Sequence, residues 1–263
     1  MNRIDERFSR LIARGQKALI TYITAGDPHI ELTYQLVLEM EKAGADMIEL
    51  GIPYSDPLAD GPVIQRASAR ALANGVRIPD IMKVVRSIRQ VSDIPLIYLV
   101  YYNSVFKYGL ERFIGEAAEV GIDGLIIPDL PLEERGEIYD MVRKYGVHLI
   151  PLVAPTSHQR IKKITEKAGG FVYCVSTTGV TGQREKMDTD IKRYMEEVAS
   201  YTDLPRAIGF GISGPDMANS LKGYCEGIIV GSAVVSEIEK GGDSNEQIVE
   251  NVRALVKDLK GAL

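Results

Sequence analysis

The chain has 263 residues, of which 45% are hydrophobic and 25% charged, and its formal net charge is −5 at pH 7. This length and composition are typical of a folded globular protein with one or two domains. The negative charge and the lack of a basic block argue against binding to nucleic acid or to a membrane surface, and no apolar run approaches the ~20 residues of a membrane span.

The N-terminal residues are charged and helix-forming, without the apolar core of a signal peptide. Cys174 and Cys225 each fall in an apolar stretch that we predict as a strand, as expected of reduced core residues in a cytoplasmic protein. The three histidines are scattered and there is no Cys-x-x-Cys pair, so we expect no metal site.

Hydrophobic periodicity predicts an N-terminal helix followed by alternating strands and helices along the whole chain. The predicted strands are 18–24, 46–50, 95–101, 124–127, 147–152, 171–175, 206–209 and 227–230. The predicted helices are 3–14, 32–43, 62–73, 78–91, 110–120, 132–145, 159–168, 190–201, 215–221, 232–239 and 245–260.

Three segments of this alternation resemble one another, namely 44–51, 121–128 and 225–231, and each leads from a helix into a short apolar strand. No linker divides the chain. Strand–helix units repeated in this way predict an α/β fold, a single (β/α)8 TIM barrel over residues 1–263 with an extra N-terminal helix. The alternative is a doubly wound open sheet, which usually carries a glycine-rich turn after its first strand.

Two acids near the end of the second strand are the first candidates for chemistry, because the active site of a barrel lies at the C-terminal ends of its strands. Glu49 lies on the same side of its strand as Met47, and burial on either side would raise its pKa and suit it to proton transfer. Asp60 ends the following loop, and the alternative role for it is a helix cap. Asp56 lies within the same loop, and the alternative to a functional role is that it is an ordinary solvated surface residue.

Glycines and serines follow the last three predicted strands. Gly211 and Gly231-Ser232 each stand just before a helix, where backbone N–H groups and the helix dipole favour an anion. The loops after strands 7 and 8 of a barrel commonly bind phosphate. The residues alone therefore predict a phosphate-binding barrel lyase or isomerase with one or two catalytic carboxylates.

Two longer motifs carry a family resemblance. Tyr22-Ile-Thr-Ala-Gly-Asp-Pro28 and Ile48-Glu-Leu-Gly-Ile-Pro-Tyr-Ser-Asp-Pro-Leu-Ala-Asp-Gly-Pro62 are similar to signature segments of the tryptophan synthase alpha chain family. Shorter segments follow in the family's order: Ile127-Pro-Asp-Leu-Pro131, Gly179-Val-Thr-Gly182, Gly209-Phe-Gly-Ile-Ser213 and Gly231-Ser232. The resemblance runs from the N-terminal helix to the C-terminus.

The resemblance implies retro-aldol cleavage of indole-3-glycerol phosphate to indole and glyceraldehyde 3-phosphate, in tryptophan biosynthesis. It implies that Glu49 transfers the protons and that Asp60 accepts the indole N–H and stabilises the cationic ring. The implied phosphate ligands are Gly182, Gly211, Gly231 and Ser232. The implied indole pocket and its closing loop comprise Tyr22, Leu99, Tyr101, Ile126, Tyr173, Thr181 and Phe210.

The resemblance further implies an α2β2 tetramer with a tryptophan synthase beta chain. That chain would carry the pyridoxal phosphate and receive the indole, the present chain would need no cofactor, and Asp56 would face the partner. Tyr22 departs from the family pattern, in which Phe is frequent at this position. Two alternatives remain open: a stand-alone lyase that releases indole, and a non-catalytic activator of a beta chain.

Overall fold

The computed structural model describes residues 2–175, 184–209 and 211–263, and for 184–189 the backbone alone. Within these ranges, nine strands form one parallel sheet with the neighbour order β5-β4-β3-β2-β1-β9-β8-β7-β6. The strands are β1 Ala18–Thr24, β2 Met47–Gly51, β3 Leu96–Leu99, β4 Gly124–Ile126, β5 His148–Leu149, β6 Leu152–Val153, β7 Val172–Val175, β8 Arg206–Gly209 and β9 Gly227–Val230.

The sheet closes into a barrel through the segment that carries β5 and β6. The N–H of Ile150 donates to the carbonyl of Leu125 at 2.9 Å, and the N–H of Tyr173 donates to the carbonyl of Pro151 at 2.9 Å. One extended segment therefore pairs with β4 in its first half and with β7 in its second. The single strand predicted over 147–152 is divided in two because Pro151 has no N–H to continue the ladder.

Helices surround the sheet, with α1 at one end of the barrel, and none in the described ranges is long and apolar enough to cross a membrane. They are α1 Arg3–Ala13, α2 Ile30–Ala43, α3 Pro62–Ala73, α4 Ile78–Ile88, α5 Tyr102–Tyr108, α6 Leu110–Val120, α7 Gly136–Tyr145, α8 Arg160–Thr165, α9 Arg184–Ala199, α10 Pro215–Leu221, α11 Ser232–Lys240 and α12 Asn245–Ala262. The predicted (β/α)8 TIM barrel with an extra N-terminal helix is confirmed.

The sequence did not predict helix α5, which follows β3 directly. Its first N–H, that of Tyr102, donates to Asp129 at 2.8 Å, so a carboxylate from a distant loop satisfies the helix end. The third strand accordingly ends at Leu99 rather than at Tyr101. Cys225 lies just ahead of β9 rather than within a strand, although it is buried as predicted.

Helix α1 closes the N-terminal end of the barrel. The helix begins after Asn2, whose side chain accepts the N–H of Ile4 and so caps the first turn. The apolar face formed by Ile4, Phe8 and Leu11 packs among the inward-facing residues of the strands, and the Phe8 ring lies 5.5 Å from that of Phe171. Burial of each such side chain stabilises the fold by about 1.5–3 kcal/mol, and it keeps the barrel interior apolar at the N-terminal end of the strands.

The three segments that resemble one another share a structural task. In each, an acid just before a strand accepts a backbone N–H near the start of the neighbouring strand and also binds a basic side chain, at 2.6–2.9 Å. The acids with their N–H donor and cation are Asp46 with Leu19 and Lys260, Asp123 with Leu96 and Arg89, and Glu226 with Arg206, which supplies both. The repeated pattern therefore satisfies backbone donors at the N-terminal edge of the sheet.

Candidate active site

Glu49 lies inside the barrel. On β2, Met47 packs with α1 and the interior residues, whereas Ile48 and Leu50 pack in the layer between the sheet and the outer helices. Because side chains alternate along a strand, Glu49 points into the interior on the side of Met47. The sequence left both sides of the strand open, and the packing of Met47 decides between them.

The Glu49 carboxyl is held in a dry environment. Its neighbours on the adjacent strands are Tyr22 of β1 and Ile97 of β3. The residue is 1% exposed, and its Oε1 has no hydrogen-bond partner among the described residues. Burial raises the pKa of Glu49 to about 8 because the charged form loses its hydration. At pH 7 the carboxyl is therefore mainly protonated and available as a proton donor.

Asp60 occupies a different environment at the end of the loop after β2. Helix α3 has Gly61 as its N-cap and no side-chain cap bond, so the alternative role of Asp60 as a helix cap is wrong. Burial raises the pKa of Asp60 to about 6, and the hydrogen bond with the Tyr101 hydroxyl opposes part of that rise. At pH 7 this carboxyl is therefore mainly ionised.

The loop that carries Asp60 is tied to the end of β3. The Tyr54 ring stacks on the Tyr101 ring at a centroid distance of 4.9 Å, and the Asn103 amide donates to the Tyr54 hydroxyl at 3.0 Å. The N–H of Ala59 donates to the Tyr101 hydroxyl at 2.9 Å. Tyr101 thus holds the loop, and sequence motifs did not reveal Tyr54 and Asn103 because their partners come from separate segments.

The two carboxyls share one part of the interior with two tyrosines. Burial raises the pKa of the Tyr22 and Tyr173 hydroxyls, and the nearby charges of Glu49 and Asp60 raise it further. Both tyrosines are therefore neutral hydrogen-bonding groups at physiological pH. The expected pocket residues within the described ranges stand on or directly after the inward face of the strands: Tyr22, Leu99, Tyr101, Ile126 and Tyr173. The remaining two, Phe210 and Thr181, lie outside the described residues.

The rings of Tyr22 and Tyr173 each pack over a glycine of the neighbouring strand. The Tyr22 ring covers Gly51, and the Tyr173 ring covers Gly209; a Cβ at either glycine would lie 2.6 Å from the Cζ of that ring. The Tyr22 hydroxyl also bonds the Thr24 hydroxyl at 3.2 Å. The absence of side chains at the two glycines therefore makes room for the aromatic walls of the site.

The first turn of α3 adds a wall that the sequence analysis missed. Val63 and Ile64 pack with Tyr22 and Leu99. The helix begins directly after the Asp60 loop, so its first apolar side chains lie against the same residues, Tyr22 and Leu99, that belong to the expected pocket. Apolar residues at the start of this helix were the available sequence signal, but they are equally typical of contacts with an outer layer.

The expected phosphate ligands in the described ranges lie at the ends of neighbouring strands. Gly211 follows β8 with a φ of +75°, a conformation that favours glycine. Gly231 is the N-cap of α11 and Ser232 its exposed first residue, so free backbone N–H groups of the helix start there. A Cβ at Gly231 would touch Tyr22 at 3.5 Å, which joins this strand end to the pocket. Gly182 lies outside the described residues.

The remaining expected residue, Asp56, is exposed in the loop between Glu49 and Asp60. Leu58, two positions on, is 86% exposed. Among the described residues, no group of three or more His, Cys, Asp or Glu side chains is arranged to hold a metal ion.

Comparison with known proteins places this geometry in a family. The family model described as "Tryptophan synthase alpha chain" matches residues 8–263. The tryptophan synthase alpha chain of Thermoanaerobacter sp. (strain X514) is 63% identical over 263 residues, which are 100% of both chains. That of Caldanaerobacter subterraneus subsp. tengcongensis is 61% identical with the same coverage.

Solved structures agree. Tryptophan synthase subunit alpha from Legionella pneumophila str. Paris superposes with a TM-score of 0.93 at 38% identity, covering 100% of this chain and 98% of the other. The chain belongs to the tryptophan synthase alpha chain family. The alpha reaction is cleavage of indole-3-glycerol phosphate, so the chain is a lyase of tryptophan biosynthesis. A chain of tryptophan synthase from M. tuberculosis in its aminoacrylate-bound form is also similar, with a TM-score of 0.88 at 30% identity over 100% of this chain and 99% of that one.

The raised pKa of Glu49 predicts a pH-dependent stability. Between the ordinary pKa of 4.5 and the folded value of about 8, the unfolded chain has lost the proton that the folded chain keeps. The free energy of unfolding of the wild type therefore falls with rising pH in this window, by up to about 1.4 kcal/mol per pH unit from this group.

The Glu49→Gln variant lacks this contribution. Its free energy of unfolding, measured in urea from pH 5 to pH 8, should rise progressively relative to that of the wild type. An Asp56→Asn variant, altered at an exposed acid, serves as control and should run parallel to the wild type. A constant difference between Glu49→Gln and the wild type would contradict the raised pKa.

Proposed function

We propose that Glu49 and Asp60 divide the acid–base and electrostatic work of indole-3-glycerol phosphate cleavage. The observation that carries this proposal is the difference between their environments. Glu49 is fully buried with a pKa of about 8, whereas Asp60 is partly buried with a pKa of about 6. Two carboxyls whose surroundings push their pKa values apart are suited to separate roles at the same pH.

Glu49, protonated at rest, gives its proton to the ring carbon of indole that bears the glycerol side chain. The ring becomes cationic at nitrogen and can accept the electrons of the bond to be broken. The resulting Glu49 carboxylate then takes the proton of the adjacent glycerol hydroxyl. The carbon–carbon bond breaks, its electrons restore the aromatic ring, an aldehyde forms, and Glu49 is again protonated.

Asp60 accepts the indole N–H and faces the positive charge that develops on the ring. An ionised carboxylate fixed in a partly desolvated site stabilises such a charge more strongly than water does. The tethering of its loop through Tyr101 supports this role, because a preorganised group does not have to be reoriented during the reaction.

The substrate phosphate is assigned to the strand ends at Gly211, Gly231 and Ser232. The start of α11 beside Tyr22 supports this assignment, because a helix N-terminus offers unpaired N–H groups to an anion. Gly182 belongs to the same proposed set, and Thr181 and Phe210 to the proposed pocket, on the family resemblance alone. A bound phosphate at this place would set the indole ring toward Glu49 and Asp60 on the inner face.

The partner proposed is a tryptophan synthase beta chain, in an α2β2 assembly in which that chain holds the pyridoxal phosphate. In this proposal the present chain, a single domain that works in the cytoplasm, uses its own side chains for the cleavage. Exposed apolar groups at the C-terminal face support the contact: Leu58 is 86% exposed and Phe106, on α5, is 61% exposed. Asp56 lies beside Leu58 and would contribute a charge at the rim of this contact.

Substitution of the two acids tests their roles. Glu49→Gln should abolish cleavage of indole-3-glycerol phosphate while substrate binding stays nearly intact, since general acid–base groups contribute roughly 10²–10⁴-fold. Asp60→Asn should lower kcat by about 10² or more. Stopped assays of indole release and equilibrium binding give the two quantities. Turnover by Glu49→Gln within about tenfold of the wild type would refute its role.

The phosphate assignment predicts the effect of a new charge. Ser232→Asp should raise KM for indole-3-glycerol phosphate by about tenfold or more, because two like charges about 4 Å apart repel by roughly 1–4 kcal/mol. Ser236→Asp adds the same charge one helical turn further along α11 and should raise KM much less. Equal KM values for the two variants would move the phosphate elsewhere.

The partner assignment predicts a surface effect. Leu58→Asp should reduce the stimulation of cleavage by an added beta chain and weaken co-elution with it, while cleavage by the isolated chain changes little. Val91→Asp is the matched control, because Val91 is an exposed apolar residue that lies just after the C-terminal end of α4. It should leave the stimulation by a beta chain and the co-elution unchanged. Strong wild-type cleavage without any response to a beta chain would favour the stand-alone lyase, and no cleavage in either condition would favour the non-catalytic activator.

A further inference from the structure

A buried carboxylate that the proposed chemistry does not use lies just after β1. The Asp27 side chain is fully buried, and both of its oxygens accept from the guanidinium of Arg70 on α3, at 2.7 and 2.9 Å. Burial raises the pKa of Asp27 even with this partner present. The carboxylate therefore depends on Arg70, because an unpaired buried charge is strongly unfavourable.

The same arginine reaches a second helix. Its remaining Nη1 donates to Glu239 of α11 at 3.1 Å. Arg66, one turn earlier on α3, donates to both oxygens of Glu239 at 2.8 Å. Hydrogen bonds from Arg66 above all, with the charges of both arginines, lower the pKa of Glu239 to about 2. We call these four side chains, Asp27, Arg66, Arg70 and Glu239, the arginine network.

The network joins three segments that each carry a residue of the site. Helix α3 begins two positions after Asp60, α11 begins at Ser232, and β1 carries Tyr22. Ala67, between the two arginines on α3, packs with Tyr22 and with Val235 of α11. The apolar contact sets how closely the segments approach, while the ionic contacts set where α3 lies along them.

The geometry of the contacts favours a positioning role over simple stabilisation. Partly exposed ion pairs contribute little to stability as a rule, and Glu239 with Arg66 is of this kind. Planar guanidinium–carboxylate pairs with two bonds, however, fix direction as well as distance. Two such pairs on one helix face restrict its sliding and its rotation. A displacement of about 1 Å at a reacting group can cost on the order of 10²-fold in rate.

We propose that the arginine network positions α3, and through it the Asp60 carboxylate, relative to the phosphate-binding start of α11. Arg70 is its central positioning residue because it binds both acids. The proposal rests on the proposed role of Asp60 in the cleavage. A network that acts in this way affects the rate through Asp60 and leaves the phosphate contacts of α11 nearly unchanged.

Arg70→Lys tests this, since lysine keeps the charge but cannot make the planar pair of bonds. We expect kcat for indole-3-glycerol phosphate cleavage to fall by roughly 10- to 100-fold, with KM and inhibition by glyceraldehyde 3-phosphate within about threefold of the wild type. In an Asp60→Asn background, Arg70→Lys should lower kcat little further, because its effect passes through the missing carboxylate. Arg86→Lys, in the exposed pair with Glu119 on the outer surface, should leave kcat unchanged.

Other outcomes separate the two proposals. If Arg70→Lys lowers kcat by the same factor with and without Asp60→Asn, or lowers only the melting temperature, the positioning role is wrong although Asp60 keeps its role. If Asp60→Asn alone leaves kcat intact, the proposed function of Asp60 fails first. Should Arg70→Lys not fold, Glu239→Gln, which alters only the α11 side of the network, is expected to give the same non-additive loss, and full additivity there overturns the proposal.

Discussion

The desolvation of one carboxyl group, that of Glu49, is the constraint on which the rest of the site depends. A glutamate on a surface strand would be ionised at neutral pH and a poor proton donor. Inside the barrel it meets the interior side of two neighbouring strands, and burial raises its pKa to about 8. That interior exists because β5 and β6 close the sheet through Ile150 and Pro151 and because α1 fills the opposite end with Phe8 and its neighbours.

The position and the pKa of Asp60 are determined differently from those of Glu49. Its carboxyl is only partly buried, and its place is fixed by contacts of the loop rather than by a strand. The Tyr101 hydroxyl accepts the Ala59 N–H and its ring stacks on that of Tyr54, which locates the loop of Asp60. Hydrogen bonding by the same hydroxyl keeps the pKa of Asp60 from rising further. In the proposed cleavage Asp60 remains charged beside a developing cation and is favoured by such donors, whereas Glu49 holds a proton and is favoured by their absence.

The sequence was sufficient for the barrel and for the polar residues that follow its strands, because strand–helix alternation and the polarity of the following loops are local patterns. It could not decide which way Glu49 points, since a strand buried on both sides shows no polar face. It left Asp60 open as a helix cap, because that role depends on geometry at Gly61 that spacing does not reveal. Helix α5 and the arginine network could not be predicted from sequence for the same reason. Their stabilising contacts, such as Tyr102 with Asp129 or Arg66 with Glu239, join residues that are distant along the chain.

Two buried acids at opposite ends of the barrel, Asp123 and Glu49, show that the environment, rather than the residue type, distinguishes a structural carboxyl from one suited to proton transfer. Asp123 is also buried, and burial also raises its pKa, but the Leu96 N–H, Arg89 and Arg3 all act to lower it. Its negative charge is therefore matched, and a change of protonation would break several contacts at the sheet edge. For Glu49, burial is the one cause of the shift, and its Oε1 has no hydrogen-bond partner among the described residues. In the proposed cleavage Glu49 changes its protonation in every turnover, and such a group is better placed where no fixed partner favours either state.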